Sequence, residues 1–309
     1  MLLQSGNIRL ARIQDLDQRL RYGLTLAERS RKRPWWSVRK APPDVDSFLD
    51  LAHPDGHRRE AALRTPGLRL EVPLAWGLAL YRINDWVPEV RAAAREMLPI
   101  HAQSAHPAVL ATVFWATLME DLRWLRVTDR EEQTMAAVFC VTGVAEAMRS
   151  KLIAATTGPA GRIARQASRF PDMDSQWEEV ARQSVQPSVR AVALRILISQ
   201  KAIYQVNWQE YQRSPSQTWR HSRRYLRERA APTGLTFLEA IELAAQDRSP
   251  LVRRIAADAL VRATHRLSRE EWAIAEKLAM DRHSSIRSPA QFVLQRRQSP
   301  DASDDKERF

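Results

Sequence analysis

Apolar positions along this chain recur with the spacing of an amphipathic helix, and the same arrangement returns several times. The clearest copy is QDRSPLVRRIAADAL at 246–260, and NDWVPEVRAAAREML at 84–98 is a close second. Five copies align on one arginine, at Arg59, Arg91, Arg190, Arg253 and Arg287. An alanine follows this arginine by three residues in all five, at Ala62, Ala94, Ala193, Ala256 and Ala290. In four copies a β-branched residue precedes the arginine by one position and a leucine follows it by seven. These columns are four residues apart, so they form one apolar stripe along a helix.

Proline and short polar residues mark where these helices begin. A proline three residues before the aligned arginine can open a helix without losing a hydrogen bond, as at Pro88, Pro187 and Pro250. Short polar residues suited to a turn precede the arginine by six, at Asp85, Ser184, Asp247 and Asp281. Capping boxes of the S/T-x-x-E type predict a partner helix upstream, at Thr236 with Glu239, Ser268 with Glu271 and Ser175 with Glu178. The pattern therefore predicts a repeated helical hairpin of about 30 to 35 residues.

The succession of Asp, Pro, Val-Arg, Ala and Leu resembles the HEAT repeat family. The resemblance is carried by residues 44–66, 73–98, 175–200, 236–266 and 268–297, whereas 101–172 and 201–234 depart from it. It implies an all-α fold, a right-handed α-solenoid of about seven to eight hairpins whose second helices line a concave face. It also implies that the aspartate and arginine columns pair between repeats. The structural positions carried over are Asp85, Arg91, Arg190, Asp247, Arg253, Asp281 and Arg287.

Three segments are expected along the chain. Residues 1–43 hold an N-terminal helix and a basic, tryptophan-containing capping arm, and residues 44–297 form the solenoid. Residues 298–309 are polar and acidic, which predicts a disordered tail.

The amino-acid composition is typical of a helical protein and indicates which classes of partner it attracts. Prolines (17) outnumber glycines (9), and the net charge of +12 attracts polyanions. The single cysteine, Cys140, lies in an apolar run, which predicts a core position, excludes disulfide scaffolds and favours a reducing compartment. No uncharged apolar segment reaches the roughly 18 residues that a membrane span needs. We expect a cytoplasmic protein with no membrane association.

A cluster of arginines lies in the departing stretch 201–234. If the chain is helical from Ser216 onward, four arginines share one face, at Arg220, Arg223, Arg224 and Arg227. Trp219 and Leu226 then share another face and pack. The arginine face either meets phosphates or an acidic partner, or it is an ordinary solvated surface.

A second basic stretch, RSRKRPWWSVRK, occupies residues 29–40. Its candidate binding residues are Arg31, Lys32, Arg33, Trp35 and Trp36. Tryptophans among cations can stack on bases. The alternative is that they cover the exposed edge of the first repeat, which a solenoid end requires.

Signals for catalysis are weak. Some HEAT-like proteins are alkylpurine DNA glycosylases, and Asp121 with Trp124 is the pair that could serve here, although no motif matches residue by residue. His53 and His57 lack a third metal ligand nearby. The sequence therefore predicts a non-catalytic scaffold without cofactor or metal, binding a protein with an acidic surface on its concave face. The alternative is a nucleic-acid-binding protein, and behind it a glycosylase; the oligomeric state is left open.

Overall fold

A computed structural model describes residues 12–30, 48–119, 124, 126–213 and 218–298, with side chains described outside 28–30, 207–224 and 298. This part of the chain is mostly helical. It divides into two compact units. The first comprises the described residues up to Met148 together with Gln205–Arg227, and the second comprises Arg149–Tyr204 together with the described residues from Glu228 onward.

The first unit is built from six helices and part of a seventh. They are α1 (Ile13–Ser30), α2 (Gly56–Arg64), α3 (Pro73–Tyr81), α4 (Pro88–Ala102), α5 (Pro107–Thr117), α6 (Asp129–Phe139) and α7 (Val144–Ala154), which contains the boundary between the units. Helix α4 packs against α2 and α6, while α3 packs against α1 and α5. A short 3-10 helix, Phe48–Ala52, lies against α1, α2 and α3.

The second unit is arranged around a row of four helices. Its helices are α8 (Ala160–Ala167), α9 (Trp177–Gln183), α10 (Pro187–Ser199), α11 (Phe237–Ala245), α12 (Pro250–Arg262), α13 (Arg269–Ala279) and α14 (Ser284–Gln298). Helices α8, α10, α12 and α14 each pack against the next, and we call them the second-helix row. Helix α9 packs on α10, α11 packs on α10 and α12, and α13 packs on α12 and α14. We call α9, α11 and α13 the first helices.

The helix starts follow the local signals, with one exception. Thr236 and Ser268 form the predicted capping boxes with Glu239 and Glu271. Ser175 does not, because it lies inside a 3-10 helix, Pro171–Gln176, and α9 begins only at Trp177. Prolines occupy the first turn of α3, α4, α5, α10 and α12.

The structure buries the apolar columns read from the sequence. The five aligned alanines are at most 1% exposed, as are the β-branched residues that precede the aligned arginines, at Val90, Val189, Val252 and Ile286. Of the leucines that follow by seven, Leu98, Leu197 and Leu260 are buried and Leu294 is half-buried. These columns are therefore the faces by which neighbouring helices pack. Cys140 departs from its expected core position: it follows the last residue of α6 and is exposed.

Between α10 and α11 the chain forms a β-hairpin, so the prediction of a helix in this segment is wrong. Strands β1 (Lys201–Arg213) and β2 (Thr218–Ala230) are hydrogen-bonded neighbours, and so short a connection makes them antiparallel. Gln200, with φ of 51°, ends α10 in the left-handed region and turns the chain into β1. Ala202 and Val206 are buried whereas Lys201 and Ile203 are exposed, so the period of two prevails here over the helical period.

A buried ionic cluster ties α1 to the helices that follow it in the first unit. Asp85 accepts hydrogen bonds from Arg59 Nε and Nη2 at 2.9 and 2.8 Å and from Arg82 Nη1 at 2.8 Å. Asp17 of α1 accepts one from Arg82 Nη2 at 2.5 Å and one from Arg21 Nε at 2.8 Å. Burial by itself would raise the pKa of the Asp85 carboxyl, but the Arg59 hydrogen bond and the Arg82 charge hold that pKa below its ordinary value.

Within the described residues, no helix combines the length and the apolar character needed to cross a bilayer.

The alanine column provides a test of the helix packing. Ala256 of α12 is fully buried, so Ala256→Leu should overpack the helix interface and lower the free energy of unfolding by about 1–3 kcal/mol. Arg254 on the same helix is exposed, and Arg254→Gln should change it by no more than about 0.5 kcal/mol. Urea denaturation measures both values. Equal losses at the two positions would contradict the helix phase.

The ionic cluster predicts a pH dependence. Asp85→Asn leaves Arg59 and Arg82 buried without their counter-charge, so it should cost about 3–5 kcal/mol at neutral pH. Because the folded pKa of Asp85 lies below its unfolded value of about 4, its contribution is complete above that value and disappears as the pH falls through the folded pKa. The variant should therefore lose less further stability than wild type in urea titrations repeated near pH 3.

A matched control for this change is Asp258→Asn. Asp258 pairs with Arg254 at 3.6 Å on the surface of α12, and its loss should cost less than about 0.5 kcal/mol. A cost at Asp85 no larger than at Asp258 would refute the stabilising role of the cluster.

Candidate functional site

All nine binding residues proposed from the sequence lie in the hairpin or outside the described residues. Arg220, Arg223 and Arg224 belong to β2, in a stretch whose side chains are not among those described. The expectation that they share one helical face with Arg227 is wrong, because all four residues belong to a strand rather than a helix. The cluster that lies outside the described residues is Arg31, Lys32, Arg33, Trp35 and Trp36.

Arg227 is engaged in ion pairs within the first unit. Its Nη1 donates to Glu132 Oε2 and its Nη2 donates to Asp129 Oδ1, each at 2.9 Å. Both carboxylates belong to the first turn of α6. The Arg227 charge is therefore used to hold the strand on the acidic start of this helix.

Arg229 anchors the base of the hairpin in the second unit. Its guanidinium donates to both carboxylate oxygens of Asp174 at 2.6 and 2.7 Å, to the Ser168 carbonyl at 2.9 Å and to the Phe170 carbonyl at 3.0 Å. The side chain is only 17% exposed. This arginine is likewise a structural group.

The aligned arginines and aspartates meet in ion pairs within the second unit. Arg190 donates to the two Asp247 oxygens at 2.6 and 2.9 Å, and Arg253 donates to those of Asp281 at 2.6 and 3.1 Å. The hydrogen bond from Arg253 is the main cause that lowers the pKa of the Asp281 carboxyl. In the first unit, Arg59 binds Asp85 in the same way.

Each aligned arginine also binds the turn that precedes its own helix. Arg190 Nη1 donates to the carbonyls of Ser184 and Val185 at 2.8 and 2.9 Å. Arg91 and Arg287 donate to the carbonyls of Asp85 and Asp281. The charges of this column are therefore used inside the fold, and a ligand site has to be built from other cations.

Charge in the second unit is divided between the two sets of helices. The second-helix row carries ten arginines, one aspartate and neither lysine nor glutamate. The first helices carry seven glutamates against two arginines and one lysine. In the first unit, by contrast, the row formed by α2, α4 and α6 carries six arginines and six carboxylates. The cationic row is therefore a particular property of the second unit.

A shallow groove of about 360 Å³ opens along this row, between α8 and α10 and beside the start of α12. Its cations are Arg162 and Arg165 from α8 and Arg195 from α10. Its other lining residues are small or aliphatic, at Gly158, Pro159, Gly161, Ser188, Ala191, Val192 and Leu251. Helices α8 and α10 approach closely here, since a Cβ on Gly161 would lie 2.8 Å from the Ser188 Cβ. We call this feature the arginine groove.

The three cations of the arginine groove have no hydrogen-bond or ion-pair partner among the residues that the structure describes. Arg162 and Arg195 are exposed, and Arg165 is half-buried. Sequence reasoning missed them because it judged arginine clusters by their spacing along the chain. The available signal was the lack of any acidic residue in both α8 and α10.

The candidate catalytic and metal residues do not assemble into a site in the described parts of the chain. Trp124 is 1% exposed and packs edge-on against Tyr81, with ring centroids 5.5 Å apart, and Asp121 lies outside the described residues. His53 is buried, and its Nδ1 accepts the backbone N–H of Asp55. No group of three metal-ligating side chains occurs in the ranges that the structure covers.

The Arg229 anchor generates a test at the hairpin base. Arg229→Gln removes the bidentate pair with Asp174, so opening of the base should become easier and the Ala231 amide, bonded to the Gln200 carbonyl at 2.9 Å, should exchange hydrogen roughly 10- to 100-fold faster. Arg227→Gln is the matched control on the same strand and should leave this amide unchanged. Equal acceleration in both variants would show that Arg229 has no special role.

The chain matches no protein-family model, no curated protein and no solved structure.

Proposed function

We propose that this protein is a non-catalytic helical-repeat scaffold that binds an acidic macromolecule along the second-helix row. By resemblance, its hairpins continue one another as a right-handed α-solenoid of about seven to eight units, with the row on the concave face. The observation that carries the proposal is the division of charge in the second unit, where ten arginines lie on the row and seven glutamates on the first helices. Four of these arginines bind carboxylates, at Arg190, Arg253, Arg254 and Arg297, and the three cations of the arginine groove are among those that do not.

A stable fold does not require this division. Charges placed for stability alone would be expected in compensating pairs, such as Arg95 with Glu131 in the first unit and Arg190 with Asp247 in the second. The three cations of the arginine groove do not follow this pattern. Unpaired cations concentrated on one side repel one another, and that repulsion is relieved when an anionic partner binds. Such a surface increases the rate of association and selects the partner by charge complementarity.

The repeat resemblance implies a scaffold that binds proteins or nucleic acid, and either class of partner can present an acidic surface to the row. A glycosylase is disfavoured by the position of Trp124, which is sealed in the core and cannot stack on an extruded base without repacking. The single cysteine fits a reducing compartment, and we place the scaffold in the cytoplasm.

The proposal predicts that binding depends on where charge is removed. The full chain with Arg162, Arg165 and Arg195 all changed to Gln should bind fluorescent poly-glutamate roughly 5- to 50-fold more weakly than wild type, because three favourable charge contacts are lost. Fluorescence anisotropy at low salt measures this affinity. A control with the same change of net charge is Arg182, Arg266 and Arg269 to Gln, at exposed positions outside the row. Equal weakening in both triple variants would overturn the proposal, since only net charge would then matter.

A further inference from the structure

The residue types that line the arginine groove indicate its ligand more closely than its positive charge does. All its cations are arginines, and the whole second-helix row lacks lysine. A guanidinium presents a planar fork of donors that matches two oxygens of a phosphate or carboxylate. The groove is therefore suited to oxygen anions held at close range rather than to diffuse screening by solvated ammonium groups.

The lining of the groove argues against a protein as its occupant. Protein interfaces concentrate their binding energy in aromatic or large apolar anchors that fill pockets. The apolar lining here consists of Pro159, Ala191, Val192 and Leu251, and no aromatic residue belongs to it. Interfaces with nucleic acid, in contrast, are polar and strongly cationic, and half or more of their hydrogen bonds go to phosphate and sugar.

The row also offers cations at a repeated interval. Adjacent packed helices lie about 8–10 Å apart. Each of three consecutive helices carries an exposed arginine, at Arg162 on α8, Arg195 on α10 and Arg254 on α12. A nucleic-acid duplex carries about one phosphate per 1.7 Å of axis, so a phosphate is available at every helix. The charge of Arg254 is partly compensated by Asp258 at 3.6 Å. The groove between α8 and α10 therefore has less compensated positive charge than the start of α12.

Backbone donors supplement the arginines. Helices α10 and α12 begin at Pro187 and Pro250, and neither N-cap side chain accepts a hydrogen bond from a backbone N–H of the first turn. Ser188 and Leu251, which follow these prolines, both line the groove. Because no N-cap side chain uses the amides of these first turns, they are able to donate to an anionic oxygen.

We propose that the arginine groove binds the sugar–phosphate backbone of nucleic acid without reading its sequence. This inference rests on the proposed function and narrows the ligand of the same row. Arg162, Arg165 and Arg195 bind adjacent phosphates of the backbone, and the remaining row extends the contact toward Arg254.

The test compares salt dependence in the full-length chain. A fluorescein-labelled DNA duplex of about 20 bp is titrated with wild type and with the Arg162, Arg165 and Arg195 to Gln variant across a salt series. Each phosphate released from contact makes the log–log slope shallower by about 0.9, so the triple variant should lose about 2 to 3 units of slope and bind about 100-fold more weakly near 0.1 M salt. The Arg182, Arg266 and Arg269 to Gln control should keep the wild-type slope.

A lysine variant at the same three positions separates charge from damage to the fold. Arg162, Arg165 and Arg195 to Lys keeps the counterion release, so it should retain the wild-type slope while binding more weakly at each salt concentration. Thermal unfolding of all variants checks that these surface changes leave the fold intact. An unchanged slope in the Gln variant, or an equal change in the control, would overturn the inference.

Two further probes distinguish failure of the inference from failure of the proposed function. The first probe is poly-glutamate of matched charge. If it binds as tightly as the duplex, and the Gln variant loses both ligands, the nucleic-acid inference is overturned but the proposed acidic-macromolecule scaffold is not. The second probe is inorganic phosphate. If it displaces the duplex at concentrations too low to act as salt, the nucleic-acid inference is overturned and the ligand is a small phosphate compound. Row and control variants that behave alike with every probe overturn both proposals.

Discussion

The structure depends on one repeated interaction, the ion pair between an arginine of one helical hairpin and an aspartate of the next. A single hairpin cannot bury its apolar stripe by itself, so its stability comes from the neighbour that covers it. Arg190 and Arg253 hold that neighbour in register, because each guanidinium binds two carboxylate oxygens and also the carbonyls of its own turn. One arginine side chain thus donates hydrogen bonds to the carbonyls of the turn before its own helix and also holds the aspartate of the next hairpin's turn at a fixed distance.

These ion pairs determine which arginines remain available to bind a ligand. Arg190 and Arg195 lie on the same helix, yet the first is 4% exposed and bound to Asp247, whereas the second faces solvent. The aspartate column compensates only the arginines that face the turns, and α8 and α10 contain no carboxylate of their own. Buried ion pairs and an unpaired basic groove therefore arise from the same helices, according to which face each arginine occupies.

The sequence predicts the regular part of this fold because helix phase depends on local spacing. Ala256 and Val252 repeat at helical intervals, and their burial follows from that period. The hairpin was missed because residues 201–230 contain no glycine to mark a turn, and their arginines also fit a helical face. Its alternation of Ala202, Tyr204 and Val206 was the signal to follow. Arg162 and Arg195 are 33 positions apart in sequence and meet only through the packing of α8 on α10, which spacing along the chain cannot reveal.

The same arginine–aspartate bond forms across very different lengths of chain. Arg253 reaches Asp281 over 28 residues, whereas Arg190 reaches Asp247 over 57, and the difference is filled by the β-hairpin. Because the entropy of closing a loop rises only with the logarithm of its length, this detour costs the helices on either side little. The connection between α10 and α11 is therefore a position at which the fold tolerates additional residues. Chain inserted at this connection would add surface to the molecule, while Arg190 and Asp247 keep the flanking helices in register.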